Sequence, residues 1–131
     1  PVAVRLLLDT HIALWAVTDS PRLPAAARTL LLAPRNGLFV SAASVWEISI
    51  KHRVAPTKMP VSGREARRLF ERANYFFVPI TAEHAAAVDD LPALHADPFD
   101  RILVSQAIHE PLRLLTVDGI LADYSDTVIV V

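Results

Sequence analysis

Cysteine is absent from the 131 residues, which excludes disulfides, thiolate nucleophiles and cysteine-type zinc sites. Long apolar runs are absent too. Apolar stretches such as Val4 to Leu8 and Thr127 to Val131 are strand-length, far short of the ~20 residues that span a bilayer, so no membrane role is expected. No basic segment followed by an apolar run and a small-residue cleavage site opens the chain, and Pro1 is consistent with removal of an initiator methionine; a cytoplasmic protein is the expectation. Nor is there an excess of charge. Thirteen basic side chains face fourteen acidic ones, a net −1, which argues against a surface that clings to phosphates everywhere. A nuclease stays open, because bound metal ions bring positive charge that composition omits. No repeat, low-complexity tract or dividing linker is visible, so residues 1–131 read as one domain. With 53% apolar residues, it can bury about two thirds of its unfolded surface.

What is present is an alternation of short β-type runs and helical segments. Arg5 to Leu8 reads as a buried strand and Thr10 to Val17 as a helix, followed by a second helix from Pro24 to Ala33. Asn36-Gly37 turns into a strand over Leu38 to Ser41, and Ser41 or Ser44 caps a helix running to about His52. Ser62-Gly-Arg-Glu65 has the capping-box pattern and opens a helix to about Asn74, with Ala66, Leu69, Phe70 and Ala73 as its apolar stripe. Phe76 to Ile80 is the third strand, and Thr81 caps a helix ending near Leu91. Asp97-Pro98 begins another helix, Pro98 suiting its first position. Leu114 to Val117 and Thr127 to Val131 are the last strands. Apolar strands separated by helices indicate a mainly parallel sheet covered on both faces, an α/β/α sandwich. In such sheets the ligand crevice lies beyond the carboxyl ends of the strands.

Four acids fall at that edge. Asp9 follows the first strand, Asp118 follows the Leu114–Val117 strand, Glu47 lies early in the helix after the second strand, and Asp100 lies in the first turn of the helix that Pro98 opens. Each has a bland account. Asp9 suits an N-cap, and Glu47 suits a capping box with Ser44 or an i,i+4 pair with Lys51. Asp97 is a good N-cap, leaving Asp100 at N3 where an acid complements the helix dipole, and Asp118-Gly119 is an ordinary turn. Together they are harder to dismiss. Two carboxylates ~5 Å apart repel by about 3 kcal/mol at an effective dielectric near 20, so a converging quartet calls for protons or cations. Oxygen-only ligands favour Mg²⁺ or Mn²⁺ over zinc. Such ions lower the pKa of bound water and neutralise charge developing on a phosphodiester.

Four stretches around these acids, Leu6-Leu-Leu-Asp-Thr-His-Ile-Ala-Leu-Trp15, Val40-Ser-Ala-Ala-Ser-Val-Trp-Glu-Ile-Ser-Ile-Lys51, His95-Ala-Asp-Pro-Phe-Asp-Arg-Ile-Leu-Val-Ser-Gln-Ala107 and Leu114-Leu-Thr-Val-Asp118, resemble the PIN-domain ribonucleases. Within these they resemble the VapC-like toxins of toxin–antitoxin pairs. The order and spacing cover nearly the whole chain. The resemblance implies a PIN-like three-layer α/β/α sandwich and Mg²⁺- or Mn²⁺-dependent cleavage of RNA. It also implies a VapB-like antitoxin partner and a homodimer. The family's acids map onto Asp9, Glu47, Asp100 and Asp118, with Asp97 in reserve; Gly119 stands where many relatives carry a larger polar residue.

Other residues carry weaker signals. His11 and His95 lie near the acids but read more readily as structural histidines, and Thr10, Ser41 and Ser44 are candidate orienting hydroxyls that equally suit capping. Arg101 is expected to pair with a neighbouring acid, and Trp15 and Trp46 to pack in the core. Arg64, Arg67, Arg68 and Arg72 read first as a solvated helix face, second as a guide for RNA or an acidic partner. Val54 to Val61, with two prolines, reads as a loop. Two rival functions remain. An aspartate-based phosphotransfer domain would use Asp9 as nucleophile, yet His11 stands where a phosphatase of the haloacid-dehalogenase type carries a second aspartate. A receiver wants a late-strand lysine, whereas Lys51 and Lys58 are the only lysines. A non-catalytic binding module would not need all four acids.

Overall fold

The computed structural model describes residues 3–131; Pro1, with the inference about its processing, lies outside them. Five strands, β1 (Arg5–Leu8), β2 (Gly37–Ser41), β3 (Phe76–Val78), β4 (Arg113–Thr116) and β5 (Val128–Val130), form one sheet in the order β3-β2-β1-β4-β5. Every pairing is parallel, with Leu6 opposite Leu38 and Arg113, and Leu8 opposite Leu115. The helices are α1 (Thr10–Val17), α2 (Ala25–Leu32), α3 (Ala42–Val54), α4 (Gly63–Arg72), α5 (Ala82–Ala87) and α6 (Pro98–His109). No helix among the described residues is long and apolar enough to cross a membrane.

The strand alternation divides the core in two. Leu6, Leu8, Val40 and Leu115 point to one face and pack with Ile12, Ala27, Ile48, Ala66 and Phe70 from α1 to α4. Leu7, Leu114 and Val128 point to the other and pack with Leu103, Val104 and Ala107 of α6 and with Leu121. Side chains of adjacent strand residues leave the pleat on opposite sides, so a run such as Leu6-Leu7-Leu8 is fully buried only between two helical layers. This is the expected α/β/α sandwich.

Local chemistry sets the boundaries. The Ser62–Glu65 capping box forms with both of its hydrogen bonds, and α4 ends at Arg72, two residues short of expectation, with Asn74 at a positive φ. Gly63 stands where α4 crosses α3; a Cβ there would fall 1.7 Å from Ser49 Oγ. The helix capped by Thr81 stops at Ala87 and continues only as a 3-10 turn over Val88–Asp90. A further 3-10 turn at Gly119–Asp123, capped by Asp118, has no counterpart in the sequence reading.

Two expectations need correction. Trp46 is 59% exposed rather than in the core, its ring edge-on to Phe99, because it lies on the α3 face turned away from the sheet. Among the described residues Arg101 pairs with no acid. Its guanidinium donates to the carbonyls of Val88, Leu91 and Pro92 and to the Tyr124 hydroxyl, satisfying the backbone of the loop ahead of α6. Trp15, as expected, packs against the core.

Candidate active site

In the order β3-β2-β1-β4-β5 the chain's direction of travel across the sheet reverses between β1 and β4, and such a switch point opens a crevice at the carboxyl ends of the strands. Asp9 sits in this crevice. It is 6% exposed and caps α1 by accepting from the His11 N–H at 3.0 Å. Its other oxygen, Oδ2, accepts from the Thr116 hydroxyl at 2.7 Å. Burial raises its pKa, outweighing the hydrogen bonds from Thr116 and His11 that work the other way. One Asp9 oxygen thus caps α1 while the other is held by Thr116.

Glu47 is 4% exposed on α3. Its Oε1 accepts from the Thr10 hydroxyl at 2.7 Å, and Thr10 lies 2.8 Å from Ser44 Oγ. Its Oε2 is held by the Lys51 ammonium, one turn on. Burial alone would lower the Lys51 pKa; the Glu47 carboxylate reverses this, with Asp97 and Asp100 adding to it, so Lys51 is held charged. Ser41 caps α3 by accepting from Ala43 N. The hydroxyl that orients Glu47 is thus Thr10, with Ser44 behind it.

Asp100, in the first turn of α6, has its pKa pushed up to about 7 by burial, then by the charges of Asp9, Asp97 and Glu47, with His95 opposing. Asp97 is mainly occupied as the α6 cap, accepting from Phe99 N at 2.8 Å. Asp118 caps the 3-10 turn by accepting from Ile120 N at 3.0 Å, while its own N–H donates to Thr116 Oγ1 at 3.0 Å. Thr116 therefore joins Asp9 to Asp118. No signal in the sequence marked it, since a threonine near the end of a strand is ordinary.

His95 completes the group and exceeds its expected structural role. Its Nε2 lies 3.1 Å from Asp118 Oδ2 and 3.4 Å from Asp100 Oδ2. His95, Asp100 and Asp118 each bring one ligand atom within 4.8 Å of the others, spacing that suits one cation. The Asp97 backbone N–H donates to His95 Nδ1 at 3.0 Å, so in the neutral ring Nε2 carries the proton and faces the acids. In that tautomer His95 donates to Asp118, with Asp100 Oδ2 close by at 3.4 Å, and the carboxylate oxygens rather than the ring are the candidate ligand atoms. The set is rich in carboxylate, under-neutralised and partly walled from solvent, which fits a hard divalent cation.

The structure is thus an α/β/α sandwich whose switch-point crevice gathers acids from β1, α3, α6 and the end of β4. The chain belongs to the PIN-domain family, whose model matches residues 6–126. Solved structures similar to it include a VapBC2 complex from Rickettsia felis bound to a promoter DNA fragment (TM-score 0.71, 18% identity, 98% of each chain). A toxin–antitoxin complex from Klebsiella pneumoniae (0.64, 17%, 95% of each) and FitAcB from Neisseria gonorrhoeae (0.61, 17%, 96% of each) have the same fold. No curated protein matches the chain significantly.

Proposed function

We propose that this chain, a single PIN-like domain over residues 1–131, is an Mg²⁺- or Mn²⁺-dependent endoribonuclease and the toxin of a toxin–antitoxin pair. The observation that carries the reading is the convergence of His95, Asp100 and Asp118, one ligand atom from each within 4.8 Å of the others, with Asp9 tied to Asp118 through the Thr116 hydroxyl. Asp9, Glu47, Asp100 and Asp118 are the proposed ligands, Asp97 the reserve. A divalent cation bound there supplies Lewis acidity toward water and toward a phosphodiester oxygen. The chain's own part is orientation. Thr116 holds Asp9, Thr10 holds Glu47, and His95 holds Asp100 and Asp118, so the carboxylates present fixed oxygens without reorganising. Hydrolysis by activated water needs no covalent enzyme intermediate.

The partners follow from the same reading. Toxin–antitoxin complexes among the similar folds support a VapB-like antitoxin, and exposed Trp46, Phe77 and Ile80 supply apolar surface for it or for a second copy in a homodimer. A cytoplasmic location suits an RNA substrate. The test is cleavage of total RNA with Mg²⁺ or Mn²⁺. The parent should cleave, chelation should stop it, and Asp9→Asn and Asp100→Asn should be inactive. Cleavage by those variants at the parental rate would overturn the assignment.

A further inference from the structure

One face of α3 leads away from the acids. Glu47, Ile50, Lys51 and Val54 follow the i, i+3, i+4, i+7 spacing of a single helical stripe, and beyond Glu47 this stripe walls a groove of about 390 Å³. Its remaining lining is His11, Ala55, Lys58 and Met59. The groove joins the acid site at two points: Lys51 is bonded to Glu47, and His11 Nδ1 stands 4.0 Å from Asp9 Oδ1.

Two features of this groove call for an occupant. The first is its mix of apolar floor and cationic rim. Ile50 is 39% and Val54 79% exposed, large aliphatic side chains left open beside a charged site. Lys51 and Lys58, the only lysines in the chain, both line this groove, and no carboxylate does. The second is that the groove is built in advance. The Ala55 carbonyl accepts from the N–H groups of Lys58 and Met59, both at 3.0 Å, and the His52 ring donates to the Met59 carbonyl at 2.8 Å. These bonds fold the segment after α3 back against the helix and fix the position from which Lys58 extends.

We infer that this groove is an RNA subsite, holding the nucleotide next to the scissile phosphate with its base on Ile50, Val54 and Met59 and its phosphate at Lys51 and Lys58. The inference rests on the ribonuclease reading above. A nucleotide matches both halves of the lining: its base is an apolar face, and its phosphate is the anion that lysine ammonium groups hold as point charges. The volume lies in the range of pockets that enclose small ligands. Lys51 is bonded to Glu47; a cation held by the acids would compete for that carboxylate and leave the ammonium for the neighbouring phosphate. An aliphatic floor carries no hydrogen-bonding code, so the subsite positions the strand with little preference among bases.

The test is binding of a short single-stranded RNA to the full chain with Ca²⁺ replacing Mg²⁺, followed against salt concentration. Lys58→Glu should weaken binding at least about fivefold and lower the salt slope by about 0.7, the value of one phosphate contact on a single strand. Lys58→Arg should restore both, and Val54→Ser, which trims the apolar floor without changing charge, should weaken binding while leaving the salt slope unchanged. RNA bearing 4-thiouridine beside the cleavage site should cross-link to the Val54–Met59 segment. Thermal melts of the exposed-site variants check that they are folded. Unchanged affinity and slope in Lys58→Glu, or cross-links confined to other segments, would overturn the subsite. Loss of binding to an acidic peptide alone, with RNA affinity intact, would overturn it too and give the groove to a protein partner. A parent that neither binds nor cleaves RNA would instead bring down the ribonuclease reading itself.

Discussion

Thr116 Oγ1 donates to Asp9 Oδ2 at 2.7 Å, joining residues 107 apart in sequence, and the same oxygen accepts the Asp118 N–H at 3.0 Å. One hydroxyl thus fixes two acids just beyond the carboxyl ends of the adjacent strands β1 and β4. Thr116 is fully buried, so Thr116→Val keeps the shape but leaves Asp9 Oδ2 and the Asp118 N–H without this partner. The expected cost is about 1–3 kcal/mol of stability. Asp9 should also become harder to ionise, because one of the hydrogen bonds opposing its burial is gone. Thermal melts and Mn²⁺ calorimetry should show both losses, and Thr116→Ser should recover most of each.

Substituting an acid should divide stability from activity. Asp100→Asn removes a charge that Asp9, Asp97 and Glu47 all oppose, so the metal-free protein at pH 8 should gain on the order of 1 kcal/mol. Cleavage should fall by more than the ~10–100-fold lost when only the partners of metal ligands are changed. Metal should act in the opposite sense. Mn²⁺ at about 100 times its dissociation constant should stabilise the parent by about 2.7 kcal/mol and leave Asp100→Asn nearly unmoved. A scan with and without EDTA reads both effects.

The pH dependence follows from Asp100. Its folded pKa, about 7, lies above the ordinary value of 3.8, so between these limits the folded chain binds the extra proton. Stability of the metal-free protein from this group is therefore fully present below about pH 4 and declines as pH rises through about 7. Metal affinity runs the other way, since the proton must leave first: below pH 7 it should fall by up to about tenfold per unit. Calorimetry from pH 6 to 8 checks the slope. In Asp100→Asn this group's share of the decline should disappear.

The fold was legible because its signals are local. Leu6-Leu7-Leu8 announces a strand buried on two sides, Ser62–Glu65 a helix start and Asp97-Pro98 another, and each stands within a residue or two of its expected place. The edge position of the four acids followed from that alternation. The parts that escaped depend on contacts between distant segments. Thr116 meets Asp9 only once β4 has paired with β1, and His95 turns to the acids only because Asp97 N and the Tyr124 hydroxyl hold its loop. Arg101 is expected to find an acid, yet its guanidinium goes to the carbonyls of Val88 and Pro92, which only the folded loop brings beside it. Trp46 shows the same limit: its neighbours in sequence are apolar, but the helix face it occupies is settled by how α3 packs on the sheet.

His95 allows donor and ligand roles to be told apart. The Asp97 N–H at Nδ1 keeps the neutral ring's proton on Nε2, where it meets Asp100 and Asp118. Direct ligation through Nε2 would require the proton to move to Nδ1 and the Asp97 bond to break. A donor that steadies carboxylates should matter at the ~10–100-fold level in metal affinity, so His95→Ala should weaken Mn²⁺ binding by about that much. His95→Gln is the decisive variant. Its amide N–H₂ can donate to the acids while its carbonyl oxygen accepts the Asp97 N–H, reproducing both bonds of the ring. As a donor, glutamine should recover most of the lost affinity. As a ligand, histidine would have no such substitute, because an amide nitrogen does not replace an imidazole, and His95→Gln would bind Mn²⁺ as poorly as His95→Ala.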